Sequence, residues 1–351
     1  MHESDARVAL IREWLTRDLR LPLARLELAS SDASFRRYFR AFADGVTYVV
    51  MDAPPGKEDV VPYLKVSGLL AGVGAHVPQV HEADSGRGLL LLEDLGTTQY
   101  LERLHAGDDP APLYADALTA LLNIQVRGAA ASQELQPYDE PALARELALM
   151  PEWFLHRHLG LTLDTADEEL LAASFAFLIR EAVAQPAVFV HRDYHSRNLM
   201  VMAARNPGVL DFQDALRGPV GYDLVSLLKD CYIAWSRERV VEWVAGYRAQ
   251  LAAHGGPAAG SAAEFLRWFD LVGVQRHLKV LGIFCRLWYR DGKHGYLPDL
   301  PRTLDYVRDT CARYSELGPL ARLLAARVAA QLPLANAREA LSAGRGAPER
   351  A

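Results

Sequence analysis

The chain has 351 residues, 50% hydrophobic and 23% charged, enough material for about two globular domains with sizeable cores. Its 38 Lys and Arg against 44 Asp and Glu give a formal charge of −6, which argues against nucleic acid as the main partner, because a phosphate backbone calls for clustered positive charge. Three well-separated cysteines, no basic-then-apolar leader and no apolar run near the roughly 18 residues of a membrane span point to a cytoplasmic protein with reduced thiols and no membrane partner.

Val8, Ile11, Leu15 and Leu19 recur at helical spacing, which predicts an amphipathic helix over 3–20, ended by Pro22. The texture then turns to strand. Residues 25–28, 37–42 and 46–51 read as short strands, with turns supplied by Ser30 to Ser34 and by Asp44-Gly45. A helix is expected over 59–71 and strands near 77–82 and 88–92, after which Asp94-Leu95-Gly96 breaks the pattern. Beyond Gly96 the chain is helical in texture apart from one β segment at 187–212. The expectation is an α+β, two-lobed chain: a small β-rich N-terminal lobe over 1–95, a large helical C-terminal lobe over 96–334, and a tail over 335–351 that frays.

The β segment carries the chemistry. "VFVHRDYHSRNLMVM", 188–202, sets His191, Arg192, Asp193, His195 and Asn198 between two apolar runs. Residues 187–190, 199–202 and 209–212 read as strands, the last two joined by a turn at Asn206-Pro207-Gly208. A hairpin there brings Asn198 and Asp211 together, with Asp193 on the loop that enters it. Mg²⁺ takes oxygen ligands, one or two of them from protein and the rest from phosphate and water. Asn198 and Asp211 suit that role, and Asp193 suits the base that accepts a proton from an attacking hydroxyl. The spacing H-R-D-x-x-x-x-N followed by a strand-borne D-F is the catalytic-loop and metal-loop pair of the protein-kinase fold. Two competing readings are loop polars that cap turns, and a zinc site on His191, Asp193 and His195. No further His or Cys with ligand spacing follows nearby.

This stretch resembles the catalytic loop of the aminoglycoside-phosphotransferase and choline-kinase superfamily, with His195 matching the family's histidine after the catalytic Asp. "GPVGYDLVSLL", 218–228, resembles the segment whose Asp, here Asp223, supports the loop that starts at His191 through backbone N–H groups. Its structural alternative is a helix N-cap. Only eleven residues lie between Asp211 and Asp223, too few for a peptide-docking activation segment, so the acceptor is expected to be a small molecule.

The nucleotide side departs from the kinase pattern. Met51 stands where the third-strand Lys is expected, and "SSDASFRRYFR" replaces the Gly-rich loop. Ser31 and Ser34 let backbone N–H groups approach phosphate. Arg36 or Arg37, on opposite faces of their strand, would supply the missing charge; the alternative is two solvated arginines on an edge strand. "LLLLEDLG", 89–96, resembles the interlobe hinge, whose backbone from Glu93 to Leu95 would hold adenine.

The wording of "SDASFRRYFR", "MDAPPGKED", "LDFQDA" and "QRHLKVLGIFCRLWYRDGK" is similar to one branch, the bacterial anomeric kinases of N-acetylmuramate and N-acetylglucosamine in cell-wall recycling. The resemblance covers most of 1–310 and implies ATP and Mg²⁺ as cofactors and a sugar 1-phosphate as product. Another small hydroxyl acceptor, or a catalytically silent nucleotide binder, stays open beside it. Residues 264–294 carry six Lys or Arg against three Asp or Glu. Arg276, Lys279, Arg286 and Arg290 line one helix face, which suits a muramate carboxylate or is simply a solvated face. Tyr232, Trp235 and Trp288 either stack a sugar ring or pack the core.

Overall fold

The computed structural model describes residues 3–31, 35–257 and 260–345. Its contacts divide the chain into two compact units, Met1–Gly128 with Ser196–Ala215, and Ala129–His195 with Leu216–Ala351. The division falls elsewhere than the boundary expected at 95/96. The helices after Gly96 and the 199–209 hairpin go with the sheet's unit, and the hairpin is tied within it by backbone bonds of Val209 to His76, Val201 to Thr98 and Leu101 to Ser196.

The first unit opens with α1 (Glu3–Glu13), which continues through a π-helical turn over Trp14–Asp18. Strands β1 (Leu23–Ser31), β2 (Arg37–Ala43) and β3 (Val46–Asp52) form an antiparallel meander. Helix α2 (Val61–Gly72) precedes β4 (Val80–Asp84) and β5 (Leu89–Glu93), which complete a sheet of order β1-β2-β3-β5-β4. Burial alternates along β2, so Phe39 and Ala41 face Ile11, Trp14 and Leu15 of the N-terminal helix. Leu89 to Leu92 of the internal strand β5 are all buried. Two helices follow, α3 (Tyr100–His105) and α4 (Pro110–Arg127), the second capped by Asp109.

The chain then enters the second unit through α5 (Glu140–Leu147), a π-helical segment over Met150–His158, α6 (Thr165–Val183) and β6 (Ala187–Val190). It returns to the first unit for the hairpin of β7 (Leu199–Met200) and β8 (Gly208–Val209). These strands are shorter than the sequence predicts, because the Val201 N–H bonds to the Thr98 carbonyl and the Met202 N–H to the Asn206 side chain, not across the hairpin. The second unit resumes with β9 (Leu216–Pro219), paired antiparallel with β6, and helices α7 (Tyr222–Leu228) and α8 (Arg237–Ala253). Helix α9 (Ala262–Tyr289) is 28 residues long and buried on almost every side, which makes it the axis of this unit. A box of Ser261 and Glu264 caps its start. Helices α10 (Leu300–Cys311), α11 (Gly318–Leu323) and α12 (Gln331–Arg345) pack the remaining core. Within the stretch expected to fray, the chain stays helical to Arg345, and Ala335 is buried with Leu332.

Candidate active site

In the second unit the pairing of β6 with β9 ends at Val190 opposite Leu216, and the catalytic-loop sequence begins at the next residue. Arg192 sits at φ 79°, a left-handed backbone that a side chain disfavours, so something must hold it. Asp223 does so from the first turn of α7. One carboxylate oxygen accepts the His191 N–H at 2.7 Å and the other accepts the Arg192 N–H at 2.9 Å. Asp223 is therefore not the N-cap of α7, a place taken by Gly221. Burial pushes its carboxyl up to about 7 against the pull of these two N–H donors and of Arg276. From α9, Arg276 donates to the Arg192 carbonyl at 2.6 Å and lies 3.5 Å from the Asp193 carboxylate.

The Asp193 side chain keeps 41% of its surface exposed. Burial tends to raise its carboxyl, but the charges of Arg276, Lys279, His195 and Arg192 outweigh it and hold the group below the ordinary carboxylate range. It is thus ionised at neutral pH. His191 accepts the Asp193 N–H on Nδ1 at 3.3 Å, which leaves its ring proton on Nε2. The His195 N–H donates to the Asp193 carbonyl at 3.0 Å, and its ring meets Tyr232 edge-on, centroids 5.4 Å apart. His191 and His195 thus shape the loop from two sides. The zinc reading finds no support: among the described residues no three His, Cys, Asp or Glu side chains gather in a group that could hold a metal.

In the first unit the hairpin register, Leu199 opposite Val209 and Met200 opposite Gly208, brings Asn198 and Asp211 into contact. The Leu210 N–H donates to the Asn198 carbonyl at 2.9 Å, and Asn198 Nδ2 donates to Asp211 Oδ2 at 3.3 Å. Gln213 Nε2 donates to Asp211 Oδ1 at 2.8 Å, while its own Oε1 is buried without a hydrogen-bond partner. The opposite amide orientation would set that oxygen against a carboxylate, so this one is favoured. One carboxylate, one amide oxygen and an unsatisfied buried acceptor beside them suit a hard cation that keeps some of its waters. Backbone bonds of Val209 to His76 and Val201 to Thr98, and of Leu101 back to Ser196, anchor the hairpin. Asn206 adds side-chain bonds to Tyr100 and Asp116, each of 2.7 Å.

The two candidate arginines have different fates. β2 is an internal strand, so the edge-strand alternative fails. Arg37 pairs with Asp52, at 2.5 Å and 3.1 Å, and Arg7 of α1 takes the other oxygen of the same buried carboxylate. Arg36 is 8% exposed. Burial raises the hydroxyl of Tyr63, Tyr38 and Asp211 add to the rise, and the Arg36 charge opposes it. The charges of Arg36 and Asp211 thus act in opposite senses on one tyrosine, which packs on Phe212 with centroids 4.8 Å apart. The backbone of β1 runs on through Ser31, paired with Arg37, so Ser31 belongs to a strand and not to the turn expected there. Ser34 lies outside the described residues. At the expected hinge the sheet makes its own claims. The Glu93 N–H donates to the Gln79 carbonyl at 2.8 Å, so it is committed within the sheet. The next residue, Asp94, is locked by Arg40 at 2.6 Å and 3.0 Å, and Leu95 is buried.

The basic helix face is buried over its first half and solvated at its end, where Arg290 is exposed. Arg276 and Lys279 are buried, and Lys279 pairs with Glu146 at 2.8 Å and reaches the Tyr222 hydroxyl at 3.1 Å. Arg286 is half-buried, and desolvation lowers its guanidinium with help from Arg290. Trp235 packs against Trp243, with Arg239 over both rings, and Trp288 donates to Glu339 at 3.1 Å. Of the three aromatic side chains that the sequence offers either to a sugar ring or to the core, Tyr232 is the one whose ring meets His195 of the catalytic loop. Sequence reasoning missed Glu146, Gln213 and Asp52. For Gln213 the position beside Asp211 was a usable signal; Glu146 and Asp52 had none, since each is a lone acid in an ordinary helix or strand.

A model described as the phosphotransferase enzyme family matches residues 25–265. An N-acetylmuramate/N-acetylglucosamine kinase of Pseudomonas putida is 45% identical over 335 residues, covering 93% of this chain and 98% of that protein. A kinase of the same description from Neisseria meningitidis serogroup B is 48% identical over 305 residues, 85% of this chain and 89% of its own. Among solved structures, a choline/ethanolamine kinase family protein from Mesorhizobium loti has TM-score 0.60 at 14% identity, covering 90% of this chain and 99% of that one. An ADP-bound aminoglycoside phosphotransferase has TM-score 0.55 at 15% identity, over 86% of this chain and 98% of the other. These two likenesses speak for the fold.

Proposed function

The chain belongs to the phosphotransferase enzyme family, and on that premise we propose that it is an ATP-dependent kinase that phosphorylates the anomeric hydroxyl of N-acetylmuramate and N-acetylglucosamine. The observation that carries the chemistry is an ionised Asp193, half-exposed and held by Arg276 and the neighbouring backbone. The acceptor class rests on relatives that bear this description and are 45% to 49% identical over most of the chain.

Asp193 accepts the proton of the C1 hydroxyl as that oxygen bonds to the γ-phosphorus and ADP departs. An anomeric hydroxyl is more acidic than an ordinary alcohol, so a carboxylate held low in pKa remains an adequate base. Asn198 and Asp211 would hold Mg²⁺, which when bound neutralises charge on the β- and γ-phosphates. Arg36 would supply the cation that Met51 does not, while Arg37 serves the sheet through Asp52. Tyr232, braced by His195, is the candidate platform for the sugar ring.

The test is ADP release from Mg·ATP with a panel of amino sugars, aminoglycosides and amino alcohols, with the product read by phosphorus NMR. Turnover with N-acetylmuramate or N-acetylglucosamine and an anomeric phosphate signal are expected. Asp193→Asn should abolish it while ADP still binds. Turnover confined to another acceptor, or a phosphate on another hydroxyl, overturns the proposal.

A further inference from the structure

Arg192 precedes the base, and three groups hold it. Asp223 accepts its N–H, Arg276 donates to its carbonyl, and its side chain reaches Glu146 of α5 at 2.5 Å. Glu146 is one fixed acceptor for several donors. Lys279 donates to it at 2.8 Å, Gln275 Nε2 lies 3.4 Å away, and the Tyr138 hydroxyl also bonds it. Burial alone would raise this carboxyl, but Lys279 and Arg192 hold it down to about 2. The cluster is built around two tyrosines, Tyr138 and Tyr222, whose rings meet edge-on at 5.1 Å. Arg192 lies over the first ring at 5.6 Å and Arg276 over the second at 5.2 Å.

A simple charge-neutralising role would need only Lys279 and Glu146. The geometry does more. The Arg192 backbone is at φ 79°, a strained conformation that persists where the surroundings over-determine it, here through both backbone groups and the side chain. The direction of Asp193 follows from that torsion, since it is the next residue. We infer that Glu146 is a positioning residue of this kinase: by gripping the Arg192 side chain it holds the loop at the angle that aims Asp193 at the acceptor hydroxyl. It touches neither substrate nor reacting atoms. The inference rests on Asp193 being the base, as proposed above.

Glu146→Gln removes the charge that answers Arg192 and Lys279, so it both loosens the loop and destabilises the unit. The double variant Glu146→Gln with Lys279→Met separates the two effects, because it removes one of the stranded cations yet still leaves Arg192 without a carboxylate. In Glu146→Gln, kcat should fall about 100-fold, the size expected of a base displaced by an ångström, while KM for sugar and for ATP stays within about twofold. The double variant should regain thermal stability but not kcat. Hydrogen exchange at the Arg192 and Asp193 amides should be faster in both variants, a readout that needs no turnover. Recovery of kcat together with stability in the double variant, or unchanged exchange at those amides, overturns the inference. A wild-type protein inactive on every amino sugar sinks the acceptor assignment instead, and the exchange experiment still decides the role of Glu146.

Discussion

Asp52 illustrates how a buried acid can set the fate of its neighbours. Its carboxylate is fully buried and takes Arg7 on one oxygen and Arg37 on the other. Asp52→Ala leaves two part-buried cations without an answer and should cost about 3 kcal/mol in urea unfolding. Arg36 lies next to Arg37 but has no part in the Asp52 pair; it is buried, and its charge acts on Tyr63, as does that of Asp211. Arg36→Ala should therefore raise KM for ATP about tenfold, the size of one charge-assisted phosphate contact, and leave KM for the sugar alone. An equal rise in both would take Arg36 away from the nucleotide. Gln213 is the third case. Its Nε2 holds Asp211 and its Oε1 stands buried and unsatisfied, and would accept from a water on a metal held as proposed. Gln213→Ala should weaken Mn²⁺ binding to the ADP complex by about 10-fold or more, measured by titration calorimetry; unchanged affinity would leave the amide a packing group.

At the scale of elements, the helix α9 and the short hairpin do most to place the site. Helix α9 lies so close to the π-helical segment Met150–His158 and its preceding turn that a Cβ at Gly282 would sit 2.4 Å from the Leu149 carbonyl carbon and oxygen. Gly282→Ala should thus force the two apart and cost about 3 kcal/mol in denaturant unfolding. A shift under ~0.5 kcal/mol would mean the contact yields easily. The same helix supplies Arg276 and Lys279 to the catalytic loop, so loosened packing at Gly282 should also lower kcat. The hairpin works through register. With a side-chain period of two, a slip of one residue would turn Asn198 away from Asp211. The His76, Thr98 and Ser196 backbone bonds prevent that slip.

For the molecule as a whole, the carboxyls whose ionisation shifts on folding predict how stability depends on pH. Glu146 falls from an unfolded value near 4.3 to about 2 on folding, so its contribution is present above the unfolded value and lost as pH drops toward 2. Asp193 and Asp270 are lowered too and act in the same sense. Asp223 is raised to about 7, so its contribution is present below about 3.9 and lost as pH rises through 7. Urea midpoints should therefore fall steeply below pH 4 and decline more gently between 4 and 7. In Glu146→Gln the acid limb should flatten; an unaltered limb would show that Glu146 is not ionised in the folded protein. The described residues contain no helix long and apolar enough to cross a membrane.

The sequence alone determined the elements and the order of the catalytic motifs, because helix and strand periods and the H-R-D-x-x-x-x-N spacing are local and need no partner from far along the chain. The contact of Asn198 with Asp211 was legible for the same reason, since a hairpin closes over a few residues. What only the tertiary structure decided is which charge answers which. Arg276 and Lys279 read as a face open to solvent or ligand, yet α5 and the catalytic loop, 83 positions or more away in sequence, supply the carbonyl and carboxylates that answer them. A buried charge has to find its partner wherever the fold brings one, and no local pattern records where that is.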